Sequence, residues 1–284
     1  MQKEITEYLA WKGTYAPRAA QMYRVWLERF LEVNGSKALS KYAVADIVRY
    51  RLYLEKYSPY TAQFATVAVQ NFFKYWKLQG KSCLSPELIK VGKTNPKSHR
   101  AVTEDEVSKI LAVIDESSFA AFRDRIIVRM LWETGVRVSE LTSLNIEQIS
   151  RSRNKTSLIT KKNNKRRIIV WSKETHILLS QYLELRQILT NTSPLFISNC
   201  MSGNTRLTPR SIERIVSYYA RKASITEKVT PHSFRHGYAH HRRDKYNAPL
   251  SFISRALGHQ NPVSTFIYEQ YSDTEFESQA EKYL

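Results

Sequence analysis

At 284 residues with 42% apolar content, the chain is long enough for two domains with real cores and too apolar for a disordered polymer. Its 44 Lys and Arg against 26 Asp and Glu leave a net charge of +18, which points to a polyanionic partner, nucleic acid ahead of anionic membrane. Cys83 and Cys200 make neither a metal-ligand spacing nor a disulfide framework, no run approaches the ~18 apolar residues of a membrane span, and MQKEITEYLAWKG lacks a signal-peptide core. The expectation is a cytoplasmic, nucleoid-associated protein with no membrane partner.

The first stretch reads as helices. Tyr23, Trp26, Leu27, Phe30 and Leu31 recur at i, i+3, i+4, i+7 and i+8. A second helical stretch runs through Val44, Ile47 and Val48 to Leu52, and Ser58-Pro59 opens a third with Phe64, Ala68, Phe72, Tyr75 and Trp76 on one face. Short polar joints make residues 1–90 a compact helical bundle, with Arg18, Arg24, Lys74 and Lys77 on its outer faces. Residues 91–101 read as a basic linker whose Lys93, Lys97 and Arg100 suit a DNA backbone.

The second domain spans residues 102–284. Thr103 and Glu106 form a capping box before the stripe Val107, Ile110, Leu111 and Ile114. A helix from about Phe119 to Glu133 ends before Gly135. Residues 156–160 and 166–170 are short and β-prone around Asn163-Asn164, which predicts a hairpin. Helices follow at about 173–189, 209–222, 232–246, 249–257 and 262–271, with Pro209, Pro231, Pro249 and Pro262 at or just before their starts. The domain is mostly α with one small β-sheet.

Five polar residues stand out in this half: Arg137 in TGVRVSEL, His232 and Arg235 in TPHSFRHGYAHH, and His259 and Tyr268 in LGHQNPVSTFIYEQY. Glu140 is close enough to brace Arg137. His232 and Arg235 share a helix face in a first turn, where the helix terminus itself favours an anion. Phe252, Ile253, Ala256 and Leu257 read as a buried stripe closed by Gly258, which presents His259 beyond the helix. Tyr268 lies off the stripe Val263, Phe266, Ile267 and Tyr271, so it projects while Tyr271 packs. Taken singly, each residue has an ordinary structural reading. Together they suit the task of holding a phosphodiester while a phenolic oxygen attacks it.

These segments, in this order, resemble the tyrosine recombinases, the phage-integrase and Xer-like DNA breaking-rejoining enzymes. The resemblance covers about 100–271. It implies a mainly α fold with a small β-sheet: an N-terminal helical (SAM-like) core-binding domain before a catalytic domain. It also implies roles. Arg137 and Arg235 clamp the scissile phosphate, with His259 adding a hydrogen bond, and His232 assists proton transfer, as base toward the tyrosine or partner to the phosphate. Tyr268 forms a 3′-phosphotyrosyl link, and Glu140 supports Arg137. A hairpin lysine protonates the leaving 5′-oxygen. The family's Gly-Lys-Gly-Asn-Lys is here Thr160-Lys161-Lys162-Asn163-Asn164-Lys165; the turn selects Lys162 and the preceding strand selects Lys161. Lys162 is preferred.

The implied partner is double-stranded DNA carrying specific recombination sites. A homo-tetramer of C-shaped clamps would hold two such sites, with possible accessory proteins. The reaction passes through a Holliday junction and needs no ATP, metal or cofactor. Integration, excision and dimer resolution all remain open. Three alternatives compete: a type IB topoisomerase-like enzyme, a catalytically silent DNA-binding protein and an RNA-binding module. The matching of all the main positions and the separate helical domain favour the recombinase. The tail after Tyr271, SDTEFESQAEKYL, is acidic and too small for a domain.

Overall fold

The computed structural model describes residues 1–92, 100–159, 166–198 and 205–259. The chain divides into two compact units, Met1–Lys97 and Ser98–Leu284, each with its own apolar core. Among the described residues both units are helical, and the second carries one two-stranded antiparallel sheet. Mainly α with a small sheet is thus the fold class of the protein. No helix among the described residues is long and apolar enough to cross a membrane.

The first unit holds α1 (Gln2–Tyr15), α2 (Pro17–Asn34), α3 (Val44–Leu54) and α4 (Pro59–Leu78). Prolines at the first turns of α2 and α4 supply a preset φ where no N–H partner exists, and the Ser58 hydroxyl accepts from the Thr61 N–H to cap α4. Tyr23, Trp26, Leu27 and Phe30 of α2 share one core with Ala68, Phe72 and Trp76 of α4, as their spacing predicts. The leading helix α1 adds Ile5, Tyr8 and Leu9 to it.

The stripe expected on α3 is rotated. Val44, Val48 and Leu52 are exposed, and Asp46, Ile47, Tyr50 and Leu54 face inward. Two polar groups set this rotation. Asp46 accepts from the Ala43 N–H and pairs with Lys37 at 2.8 Å, while the Tyr50 hydroxyl donates to the Trp26 carbonyl at 2.9 Å. Satisfying a buried carboxylate and a buried phenol outweighs covering two valines and a leucine that remain half in water.

The second unit runs α5 (Glu104–Ala112), α6 (Phe119–Thr134), α7 (Val138–Ser143), β1 (Lys155–Ile159), β2 (Arg166–Val170), α8 (Lys173–Leu189), α9 (Pro209–Lys222), α10 (Pro231–Tyr246) and α11 (Leu250–Leu257). The capping box of α5 is present in both directions, with Glu106 N–H on Thr103 and Thr103 N–H on Glu106. The strands pair from Lys155 opposite Val170 to Ile159 opposite Arg166. Their inward positions are Thr156 and Leu158 on one strand and Arg167 and Ile169 on the other. The hairpin tip and the helix expected at 262–271 lie outside the described residues.

Two features of this unit position the site. Gly135 ends α6 in the left-handed conformation at φ 56°, and Gly258 ends α11 the same way at φ 65°. Between them lies α10, whose Phe234, Tyr238 and Ala239 are buried. One expectation for α11 fails: Ile253 and Leu257 are buried but Phe252 is 50% exposed. The helix packs on Tyr238 and Ala239 through Ile253 and Leu257, with Ala256 partly buried beside them, and Phe252 falls outside that contact.

Gly237 lets the segment before α5 press against α10. A Cβ there would come within 2.4 Å of the Val102 carbonyl oxygen, beside the backbone bond from Val102 N–H to Ser233 O. Gly237→Ala is therefore expected to destabilise the protein by about 1–3 kcal/mol despite alanine's better helix propensity. Thermal unfolding of the purified variant checks this; an unchanged or raised midpoint would mean that the contact is not tight.

Candidate active site

Gly135 turns the chain from α6 into α7, and Arg137 is the residue that caps α7. Arg137 N–H donates to Glu140 Oε2 at 2.9 Å, and its Nη1 lies 3.1 Å from Glu140 Oε1. The side chain of Arg137 stays 42% exposed while that of Glu140 is buried. Sequence reading placed Arg137 just past a helix end. It is also the start of the next helix, so the macrodipole of α7 adds positive potential where this guanidinium sits.

Arg235, on the first turns of α10, is only 3% exposed. Its Nη1 donates to the Gly135 carbonyl at 2.8 Å and its Nη2 to the Leu257 carbonyl at 2.7 Å. Gly135 is the cap residue just past α6 and Leu257 the last residue of α11, places where a backbone carbonyl has no partner within its own helix. The guanidinium is planar and its donors form a fixed fork, so two such bonds set its plane.

His259 follows Gly258, its N–H bonded to the Ser254 carbonyl at 3.0 Å, and its ring is half-buried. Burial and the nearby charges of Arg235, Arg137 and Arg167, with His232, push the imidazole down to about 4. His259 is therefore neutral near pH 7, a ring that can hydrogen-bond without carrying charge. Arg235 is anchored on the Gly135 and Leu257 carbonyls, which stand two residues before Arg137 and His259 along their segments, and Arg137, Arg235 and His232 all lie near enough to act on the His259 ring. His232 is exposed at the start of α10, its ring 4.4 Å from and perpendicular to that of His236. Tyr268, Lys162 and its alternative Lys161 lie outside the described residues.

The basic residues expected to contact DNA fare unevenly. Arg18, Arg24, Lys74 and Lys77 are exposed, but Lys77 Nζ is 2.9 Å from Glu87 and Arg24 faces Glu28 at 3.8 Å. Arg100 is held between Glu106 at 2.5 Å and Glu227 at 2.7 Å, an internal strut of the second unit. Lys93 and Lys97 fall outside the described residues.

Sequence reading passed over two features. Arg167 on β2 is buried with its Nη2 2.5 Å from Glu140 Oε2, and its Nη1 donates to the Ala256 carbonyl. The strand's period of two signals this, because Arg167 shares its face with Ile169. The second is a ridge on α9. Arg210, Arg214 and Arg221 recur at i, i+4 and i+11, and with Lys228 they line a groove reaching His232. Helical spacing alone makes that ridge legible.

The chain is similar to known proteins in sequence and in fold. The family described as Phage integrase family matches residues 100–275. The chain is 32% identical over 269 residues to Tyrosine recombinase XerA of Pyrococcus furiosus, covering 94% of this chain and 87% of that one. It is 31% identical over 211 residues to Tyrosine recombinase XerC of Thermodesulfovibrio yellowstonii, covering 70% and 67%. A crystal structure of XerA recombinase aligns over 99% of this chain and 98% of its own at 27% identity and a TM-score of 0.57. A lambda integrase dimer bound to a COC′ core site aligns over 95% of both chains at a TM-score of 0.76 and 14% identity, a likeness of fold.

The depressed His259 imidazole is directly measurable. Unlike an ordinary histidine, which titrates near 6.5, its ring should stay neutral down to about pH 4 in the free protein. Its folded-state value is below the unfolded one, so the unfolded chain binds more protons between those values and stability falls as pH drops through that window. Ring chemical shifts followed by NMR, with His259→Gln for assignment, check this. A midpoint near 6.5 would show that neither burial nor the arginines act on the ring as described.

Proposed function

This chain belongs to the phage integrase family as a tyrosine-type site-specific recombinase, and we propose that it breaks and rejoins duplex DNA through a covalent 3′-phosphotyrosyl link to Tyr268. The observation that carries the reading is the convergence of Arg137, Arg235 and His259 from three separate segments.

A phosphodiester is anionic and repels nucleophiles. The guanidiniums of Arg137 and Arg235 neutralise its non-bridging oxygens and stabilise the added charge of the pentacoordinate transition state. His259, neutral in the free protein, donates a further hydrogen bond to the same oxygens. The Tyr268 oxygen attacks phosphorus as its proton passes to a base, the role assigned to exposed His232. The P–O5′ bond breaks and the leaving oxygen takes a proton from Lys162, or from Lys161 if the strand sets the register. Tyr268 lies nine residues beyond His259, a length of chain that reaches at most ~30 Å and so can return to the site.

In the second step a 5′-hydroxyl attacks the phosphotyrosine and releases Tyr268. One phosphodiester replaces another throughout, so religation needs no ATP. The arginines supply the charge neutralisation for which other phosphoryl-transfer sites use a metal ion. One nucleophile per protomer cuts one strand, so two duplexes with four strands call for four protomers. Exchange of one strand pair at a time passes through a Holliday junction. Duplex contact is assigned to the Arg210, Arg214 and Arg221 ridge with Lys228, and to Arg18 and Lys74 of the first unit. Long-range attraction from the net charge of +18 speeds the encounter.

The test uses a nicked duplex carrying a site selected by binding from a random pool. Wild-type protein should form an SDS-resistant adduct on it, and Tyr268→Phe should bind the duplex equally well and form none. An adduct that persists in Tyr268→Phe would move the nucleophile elsewhere, Tyr271 first.

A further inference from the structure

The Glu140 carboxylate lies between two arginines of unlike exposure. Arg137 is on its outer side with a side chain 42% exposed, and Arg167 on its inner side with one 5% exposed. Burial alone would raise the Glu140 carboxyl, but Arg167, the Arg137 N–H and the Arg137 charge hold it below the usual carboxylate range. The three groups together therefore carry one surplus positive charge. Because Arg167 is the buried partner, that surplus falls on Arg137, the member that faces outward.

Arg167 also reaches a second element. Its Nη1 donates to the Ala256 carbonyl, in the last turn of α11, two residues before Gly258 turns the chain to His259. One guanidinium thus joins β2 to α7 and to the end of α11. A carbonyl and a carboxylate on opposite ends of a rigid fork fix the distance between the segments that deliver Arg137 and His259.

We propose that Arg167 is a positioning residue for strand cleavage: it supplies the counter-charge of Glu140, leaving the Arg137 charge to the phosphate, and it holds the α11 terminus that carries His259. This rests on the function proposed above. Without Arg167, the Glu140 carboxylate draws its compensation from Arg137 alone. The pair becomes neutral, and Arg137 is pulled inward from the position where it meets an anion.

The experiment measures single-turnover cleavage of the same nicked duplex at saturating protein, together with duplex affinity and the unfolding midpoint. Arg167→Met should cleave ~10–100-fold more slowly than wild type, by analogy with the loss when the hydrogen-bonding partner behind a metal ligand is removed. Its affinity should change by less than about threefold, since many other phosphates carry binding. Arg167→Lys keeps the charge and should be at least about fivefold faster than Arg167→Met. The decisive arm is Arg167→Met/Glu140→Gln, which removes the uncompensated carboxylate and should be faster than Arg167→Met alone.

Arg167→Met cleaving within about threefold of wild type overturns the proposal. So does a double variant no faster than the single one, because a merely structural role lowers the unfolding midpoint and gives no second-site rescue. If Arg167→Met does not fold, Arg167→Gln takes its place against Arg167→Lys, and equal rates for those two overturn the proposal as well. Failure of the wild type to form any adduct would instead strike the function itself.

Discussion

The buried guanidinium of Arg235 ties together the two helix ends on which the second unit's site is built. Arg235 lies almost wholly out of solvent and spans two carbonyls, Gly135 at the end of α6 and Leu257 at the end of α11. Each carbonyl belongs to a helix C-terminus, where backbone acceptors lack partners and the macrodipole is negative. A buried cation and two unsatisfied helix ends thus resolve one another. The geometry follows from two glycines. Gly135 and Gly258 both take the left-handed turn, and a Cβ on Gly135 would collide with Leu257 and Tyr238 at 2.8 Å. Because the helix ends meet there, Arg137 follows one anchored carbonyl by two residues and His259 follows the other by two.

Burial first, and then the same crowding of positive charge, explains why His259 is neutral. Three arginines act on His259, and its imidazole gives up its proton before they do. Within the set, Glu140 is the carboxylate that makes such crowding tolerable, and it is shared between an inner and an outer arginine. An anion arriving beside Arg137 finds positive potential that the protein has not already spent on itself. Preorganisation of this kind avoids reorganisation cost at the moment of reaction, which is where electrostatic catalysis gains its magnitude.

Much of this was readable in the amino-acid sequence, for identifiable reasons. Helices that carry an N-terminal proline or a Ser/Thr cap, such as α4, α8 and α9, have sharp chemical boundaries, and α8 and α9 run over the residues expected. The polar set around Arg137, Arg235 and His259 was legible because its members occupy motifs of fixed order. Short α7 was not, since six residues offer no periodicity and its start is an arginine rather than a conventional cap. Rotation of α3 was hidden because a pattern of apolar spacing ignores Asp46 and the Tyr50 hydroxyl, the two groups that set it. Arg167 escaped for a related reason. A charged residue in a strand reads as solvent-facing until the register places it opposite Leu158, on the buried face.

The central claim is that one phosphodiester sits where these segments meet. It is tested most directly by a crystal structure of the Tyr268→Phe protein on a duplex bearing its selected site. The account predicts a single phosphate whose non-bridging oxygens lie within hydrogen-bond distance, about 3 Å, of Arg137, Arg235 and His259 together, with the edge of the substituted ring directed at its phosphorus. A duplex bound with every phosphate remote from Arg235, or with Arg137 and His259 on different phosphates, would contradict it.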